Sequence, residues 1–148
     1  KKVILMTPLY KLRDYKESFK FEKEHPKELR WDDGYKLYML QENKKFQGIW
    51  LKEKSELVGE ILLSWESKNV VHIDGFTVLP KYNGQGYGHD LVKLALDWAQ
   101  LSDFEFITGE ARMGASWKIF QNFGAIPVLT YKDWNGTKED YVFFKIDV

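Results

Sequence analysis

Val78-Leu79-Pro80-Lys81-Tyr82-Asn83-Gly84-Gln85-Gly86-Tyr87-Gly88-His89-Asp90-Leu91 is the stretch on which the reading of this chain turns. Before it, Val70–Val78 is rich in β-branched and aromatic residues and predicts a strand. Pro80 ends that strand, since proline has no N–H for a ladder. After it, Leu91, Leu94, Ala95, Trp98 and Leu101 recur at helical spacing, which predicts a helix over 88–101. Gly84, Gly86 and Gly88 fall where the helix begins, in a turn that needs special dihedrals and close backbone approach. Free backbone N–H groups gathered at the positive end of a helix form a cradle for an anion, most naturally phosphate. A plain glycine-rich structural turn is the competing reading of the glycines alone.

The ligand class narrows by spacing. No Gly-Lys-Ser/Thr follows the glycines, so a nucleoside triphosphate with its metal is disfavoured. Gly84-x-Gly86-x-Gly88 lacks the third spacing of a dinucleotide fingerprint, and its strand comes mid-chain.

Working outward, Phe46, Leu57 and Val70 each open a β-rich run, over 46–52, 57–65 and 70–78. Short polar links join them, which predicts an antiparallel meander feeding the glycine turn. A strand over 104–109 follows the helix, so strand, helix and strand read as a parallel crossover. A ligand site is expected at the carboxyl ends of the two parallel strands. Residues 114–123 predict a short helix closed by Gly124. Two strands over 125–132 and 138–146, with Asn135-Gly136 between them, predict a final hairpin. At the other end, residues 3–6 predict a first strand. Thr7-Pro8 is expected to open a helix, with Thr7 as cap and Pro8 at the first position. His25-Pro26 breaks that helix, and His25 is expected at the surface. A second helix carries Tyr35, Tyr38 and Met39. The order β-α-α-β-β-β-α-β-α-β-β is that of a single mixed α/β domain, residues 1–148, with no internal repeat or dividing linker.

Composition removes several function classes. Lys plus Arg and Asp plus Glu number 22 each, giving zero formal charge. Nothing in this balance points to nucleic acid, and a nucleic-acid module would need a basic aromatic surface. Without cysteine there is no thiolate nucleophile, thiolate-bound metal or disulfide framework. No His/Asp/Glu set has metal-ligand spacing. No apolar run is long enough to span a membrane and no signal peptide is visible, so no membrane partner is expected and cytoplasm is the default. The chain opens on Lys1, so a native start upstream is expected.

Val78-x-Pro80-x-Tyr82-Asn83-Gly84-Gln85-Gly86-Tyr87-Gly88 resembles the acetyl-CoA-binding motif of the GNAT superfamily of N-acetyltransferases. That motif reads Arg/Gln-x-x-Gly-x-Gly/Ala after a strand ending in Val-x-Pro; here Asn83 stands where Arg or Gln is usual. A second block, Phe120-Gln121-Asn122-Phe123-Gly124-Ala125, is similar to the family's Tyr-Glu-Lys-Leu-Gly-Phe at the end of its fourth helix. The resemblance extends over nearly the whole chain. It implies a GNAT-like fold, with a central bent, mostly antiparallel sheet and one parallel crossover. It implies acetyl-CoA as acyl donor, no metal, and a primary amine of a small molecule or peptide as acceptor, attacking directly in a ternary complex. A homodimer stays open.

The resemblance assigns residues as well. Asn83, Gly84, Gln85, Gly86, Tyr87 and Gly88 would hold the pyrophosphate. Phe76, Thr77 and Val78 would pair with the pantetheine arm, and the Val78 N–H would face the developing oxyanion. Asp74 stands near the family's general base, with Glu60 and Glu110 as rivals; an ordinary polar residue or a bulge at Gly75 is the competing reading of Asp74. Asp74 shares a face with Phe76 and Val78 only if the strand has no bulge. His72, two residues away, is a weaker base candidate than a packing histidine. On the fourth helix, Phe120 replaces the tyrosine that commonly serves as general acid, and Met113 replaces a frequent asparagine. Ser116 is expected at the cofactor arm, and Phe120 beside the sulfur. Tyr87 and Tyr131 are substitute acids to consider. Either the thiolate leaves without a side-chain acid, or the protein is a non-catalytic acyl-CoA-binding module. Trp31, Tyr35, Tyr38 and Trp134, with Glu28, Asp32 and Asp33 nearby, are candidates to wall the acceptor site. Core packing is the competing reading of these aromatics.

Overall fold

A computed structural model describes residues 2–8, 12–132, 136 and 138–148 of the chain. Its elements are β1 (Lys2–Pro8), α1 (Leu12–Lys23), α2 (Asp33–Met39), β2 (Lys45–Glu53), β3 (Glu56–Trp65), β4 (Val70–Val78), α3 (Tyr87–Leu101), β5 (Phe106–Arg112), α4 (Ala115–Asn122), β6 (Ile126–Tyr131) and β7 (Tyr141–Asp147). The expected order of elements holds throughout. The described strands form one seven-stranded sheet in the order β1-β2-β3-β4-β5-β7-β6. Only β4 and β5 run parallel.

Apolar residues on alternate strand positions build a core on each side of the sheet. On one side Ile49, Ile61, Leu63, Val71, Ile107 and Phe144 pack with Leu91, Val92, Ala95 and Ala99 of α3 and Trp117 and Phe120 of α4. On the other, Phe46, Trp50, Leu57 and Leu62 pack with Leu29, Trp31 and Met39, and with Phe19 and Phe21 of α1. Burying each of the Val, Leu, Ile, Met and Phe side chains among these stabilises the fold by about 1.5–3 kcal/mol. Asp32 caps α2 by accepting from the Tyr35 N–H at 2.7 Å. Gly124, at φ +88°, closes α4 as expected, with the Ala125 N–H returning to the Phe120 carbonyl.

Some expectations fail. Thr7 and Pro8 do not open a helix: both lie in β1, where Pro8 pairs with Gln47. β1 is an edge strand, and an edge tolerates a proline that cannot donate to a neighbour. His25 is not at the surface. It is 1% exposed, enclosed by the rings of Phe21, Trp31 and Trp50. Pro26 leads into a 3-10 turn over Lys27–Leu29, and the Leu29 carbonyl lies 3.4 Å from His25 Nδ1. β5 begins at Phe106 rather than 104 and runs on to Arg112. β6 and β7 pair as a hairpin, while Asn135 of the expected turn lies outside the described residues.

A candidate acyl-transfer site where the parallel strands part

β4 and β5 pair only over Val70–Phe106, Val71–Ile107 and His72–Thr108. The last pair is pinned by a 2.9 Å hydrogen bond between His72 Nδ1 and Thr108 Oγ1. His72 is therefore a structural fastener; burial lowers its pKa, helped by the charge of Lys44. Beyond that pin the strands separate. The gap opens into a cavity of 370 Å³ whose walls include Asp74, Phe76, Glu110, Ser116, Phe120 and Tyr141.

The backbone edge of β4 is free along this gap. Leu79 N–H donates to the Val58 carbonyl of β3 at 2.8 Å. Strand alternation then turns the N–H groups of Phe76 and Val78 away from β3, toward the gap. The N–H of Val78, the expected oxyanion donor, therefore faces the gap. Thr77, paired with Glu60, turns its backbone to β3.

The glycine turn lies just past the end of this strand. Pro80–Tyr82 make one 3-10 turn, then Gly84 and Gly86 adopt φ +79° and +84°. Asp90 N–H is paired to the Gly86 carbonyl, the first such bond of α3, so the N–H groups of Gly88 and His89 precede the intrahelical ladder. No side chain caps α3. Asn83, Gln85 and both positive-φ glycines are exposed, and a Cβ on Gly84 or Gly86 would meet nothing within 4 Å. These glycines are needed for dihedral angle, not for room. At Gly88 room is tight: a Cβ there would lie 2.9 Å from Ile119 Cδ1 and 3.3 Å from Phe76 Cζ, so those side-chain ends would have to shift. That close approach brings the start of α3 against α4 and β4, next to the cavity.

Asp74 is where the structure most changes the reading of the sequence. Leu62 pairs with Gly75 but Leu63 pairs with Ile73, so Asp74 is the extra residue of a β-bulge. The bulge breaks the alternation of β4. Val71, Ile73, Phe76 and Val78 face α3 and α4, whereas Asp74 faces the α1–α2 side, opposite to Phe76 and Val78. There its carboxylate accepts from Ser64 Oγ at 2.9 Å and from Tyr35 Oη at 3.1 Å. Burial pushes Asp74 up to about 6, against the pull of the two hydroxyls. Glu110 reaches the same cavity from β5 and is exposed.

Glu60 does not line this cavity. It is 4% exposed, accepts from Trp50 Nε1 at 2.9 Å, and is pushed up to about 8 by burial. Its place beneath α1 and α2 follows from its parity on β3, which puts it with Leu62 rather than Ile61. Phe120 lines the cavity while remaining 2% exposed, its ring tilted against those of Phe76 and Phe144. Ser116 lines it too. Met113 is set apart, opening with Ser116 onto a neighbouring hollow of 610 Å³ between the start of α4 and the segment before β7. The Tyr87 hydroxyl is turned away and donates to Glu53. Tyr131 is absent from the cavity wall.

The expected acceptor wall is largely core. Trp31, Tyr35 and Tyr38 interlock with Phe19 and Phe46 under α2. The Tyr35 hydroxyl reaches the site directly, by donating to Asp74, and the Tyr38 hydroxyl reaches it through Ser64. Trp134 lies outside the described residues. Two residues at the cavity were missed by sequence reasoning, Tyr141 and Arg112. The Arg112 Nε donates to the Tyr141 hydroxyl at 3.0 Å and pairs with Glu139 at 3.1 Å. Their pairing across β5 and β7 depends on register, for which the sequence carries no local signal. Among the described residues no group of three or more His, Asp or Glu is placed to hold a metal ion, and no helix is long and apolar enough to cross a membrane.

Among the described residues, a strand edge that leaves its parallel partner thus lies near a helix start preceded by positive-φ glycines. The model of the acetyltransferase (GNAT) family matches residues 9–125, and the chain belongs to that family. A search of curated proteins by sequence returns no match. Among solved structures, the ribosomal-protein-S18-alanine N-acetyltransferase of Escherichia coli is 13% identical, with a TM-score of 0.74 over 100% of this chain and 94% of its own. NAA60 of Arabidopsis thaliana, in complex with a bisubstrate analogue, is 12% identical, with a TM-score of 0.64 over 98% of each chain. A Bacillus anthracis protein described as a streptothricin acetyltransferase, in complex with acetyl coenzyme A, is 20% identical, with a TM-score of 0.61 over 77% of this chain and 68% of its own. At these identities the likeness is one of fold.

Proposed function

We propose that the protein is an acetyl-CoA-dependent N-acetyltransferase acting on a primary amine of a small molecule or peptide. The observation that carries this reading is the cavity at the parting of β4 and β5, where Asp74 and Glu110 stand beside Phe76 on the strand that leads into the glycine turn. The residues fit the donor. The N–H groups of Gly88 and His89 at the start of α3 suit a pyrophosphate, with Gly84 and Gly86 leaving its approach open. The edge of Phe76 and Val78 suits an amide-bearing arm, as an added strand would be held. Acetyl-CoA, when bound, supplies an activated acetyl thioester.

The chain's own residues then have three tasks. Exposed Glu110 supplies negative charge at the cavity and draws in a cationic amine. Asp74 removes the proton from the amine, its burial having raised its pKa toward working pH. Val78 donates its N–H to the charge that develops on the carbonyl oxygen. Phe120 gives the leaving sulfur an apolar surface and no proton, so a thiolate departs; with a free thiol pKa near ~8.5 this is tolerable at neutral pH.

The test pairs calorimetry with turnover. Acetyl-CoA should bind, ATP and NAD should not, and thiol release should appear with some member of an amine library. Tight ATP binding without acetyl-CoA binding would sink the reading. A second reading, a non-catalytic acyl-CoA-binding module, is favoured by one observation: Phe120 stands where the family's acid is common. Intact acetyl-CoA binding with no thiol release for any amine would select it.

A further inference from the structure

We propose that Tyr35 and Ser64 are positioning residues, whose two hydroxyls orient the Asp74 carboxylate in the cavity and keep it ionised despite burial. The proposal rests on the reading of Asp74 as the base, and it concerns residues that neither the glycine turn nor the fourth helix could have indicated.

The geometry is specific. Ser64 Oγ donates to Asp74 Oδ1 and Tyr35 Oη to Oδ2, so each carboxylate oxygen is held by one hydroxyl. Two donors on two oxygens fix the plane of the group. Each oxygen keeps a second lone pair, free to accept from an incoming amine. Because the single Ser64 proton goes to Asp74, the 3.4 Å contact between Tyr38 Oη and Ser64 Oγ is donated by Tyr38. The chain Tyr38 to Ser64 to Asp74 and the direct bond from Tyr35 both begin on α2. Tyr35 cannot easily turn away. Its ring packs at 6.0 Å from Trp31, 6.0 Å from Tyr38 and 6.3 Å from Phe46, centroid to centroid.

The chemistry explains why the hydroxyls are needed. A carboxylate moved out of water favours its neutral form, and a protonated Asp74 could not take a proton. Hydrogen bonds to the ionised form oppose that shift. The other groups around Asp74 act less directly. Lys44, between α2 and β2, favours the ionised form. Glu60 on β3 lies on the far side of Tyr35 and raises that phenol. His72 precedes Asp74 on β4 and is held by Thr108; Glu110 and Arg112 of β5 and Tyr141 of β7 share the cavity wall.

The experiment follows the Asp74 carboxyl carbon by NMR in 13C-labelled protein without donor or acceptor, its signal identified by its loss in Asp74→Asn. Wild type, Tyr35→Phe, Ser64→Ala and Ser64→Thr are titrated, with folding checked by thermal melting. Phe keeps the packed ring and removes only the hydroxyl. The Asp74 midpoint should rise by about one pH unit in Tyr35→Phe and in Ser64→Ala, the size expected for a lost bond to a charged group. It should return toward the wild-type value in Ser64→Thr. Should Tyr35→Phe not fold, the Ser64 pair carries the test. An unmoved midpoint in the folded variants overturns the proposal. The acidic limb of turnover, measured in parallel, should move with the midpoint. A raised midpoint with a fixed limb upholds the positioning of Asp74 and refutes Asp74 as the base, so the two ideas fail separately.

Discussion

Phe76 on β4 and Phe120 on α4 meet with ring centroids 5.2 Å apart where the two parallel strands have parted. The pair forms an apolar floor beside the free strand edge, on the side of the sheet away from Asp74. An added hydroxyl at Phe120 would sit at this floor without disturbing ring burial. Phe120→Tyr should therefore leave acetyl-CoA affinity within about threefold, a difference well below 1 kcal/mol. Turnover should rise only if leaving-group protonation limits the rate. Thiol release in both proteins over an amine library measures this, and a large loss of donor affinity would mean that Phe120 does not lie beside the donor.

Asp74→Asn should lower turnover by about 10²–10⁴-fold, the range of a general base. Stability should move the other way. The folded pKa of about 6 exceeds the unfolded value of 3.8, so the folded state holds the extra proton between these pH values. The contribution of Asp74 to stability is thus full below the unfolded pKa and is lost as pH rises through 6. At pH 7 the charged group is a burden to the fold, and the Asn variant should melt no lower than wild type. A variant that is both inactive and strongly destabilised would point to loss of structure instead.

Glu60 gives a second sign test away from the cavity. Its pKa rises from 4.5 unfolded to about 8 folded, chiefly through burial. Its neutral form favours the fold, and that advantage fades as pH climbs toward 8. Glu60→Gln preserves an acceptor for Trp50 and removes the charge. The variant should match wild type near pH 5 and exceed it at pH 9, by on the order of 2–4 kcal/mol. Denaturant melts at the two pH values read the difference; equal stability at both would show that Glu60 is not desolvated as its surroundings imply.

The glycine turn separates two physical roles. Gly86 has φ +84° with open space around it, so Gly86→Ala should cost about 1–2 kcal/mol through the dihedral alone. It should weaken acetyl-CoA binding by displacing the start of α3. Gly88→Val instead meets Ile119 and Phe76, and should loosen the packing of α3 on α4. Calorimetry with acetyl-CoA, alongside melting curves, should show a binding defect in the first variant and a larger loss of stability in the second.

Much of this molecule is written in local patterns. The alternation over β2 to β4, the helical spacing from Leu91 to Leu101, and the glycines that end one element and begin the next each depend on neighbours within a few residues. For that reason the order of elements and the turn at Gly84, Gly86 and Gly88 between β4 and α3 could be read in advance. Thr7-Pro8 misled because a cap and an edge strand make the same use of a proline that donates nothing.

Tertiary structure decided everything that hinges on pairing. One extra residue opposite Leu62 and Leu63 sends Asp74 to the far face of the sheet, a parity change that strand composition alone does not encode. The same holds for Tyr35, 39 residues from the carboxylate it serves, and for Ser64, which meets Asp74 only because β3 lies beside β4. His25 became core because its ring packs against Trp31 and, across the fold, Trp50 of β2. Arg112 and Tyr141 met through the register of β5 with β7. Helix, strand and turn arise from short-range backbone preference, whereas the facing of a charged side chain is set by the partner strand across from it, and only the assembled sheet supplies that partner.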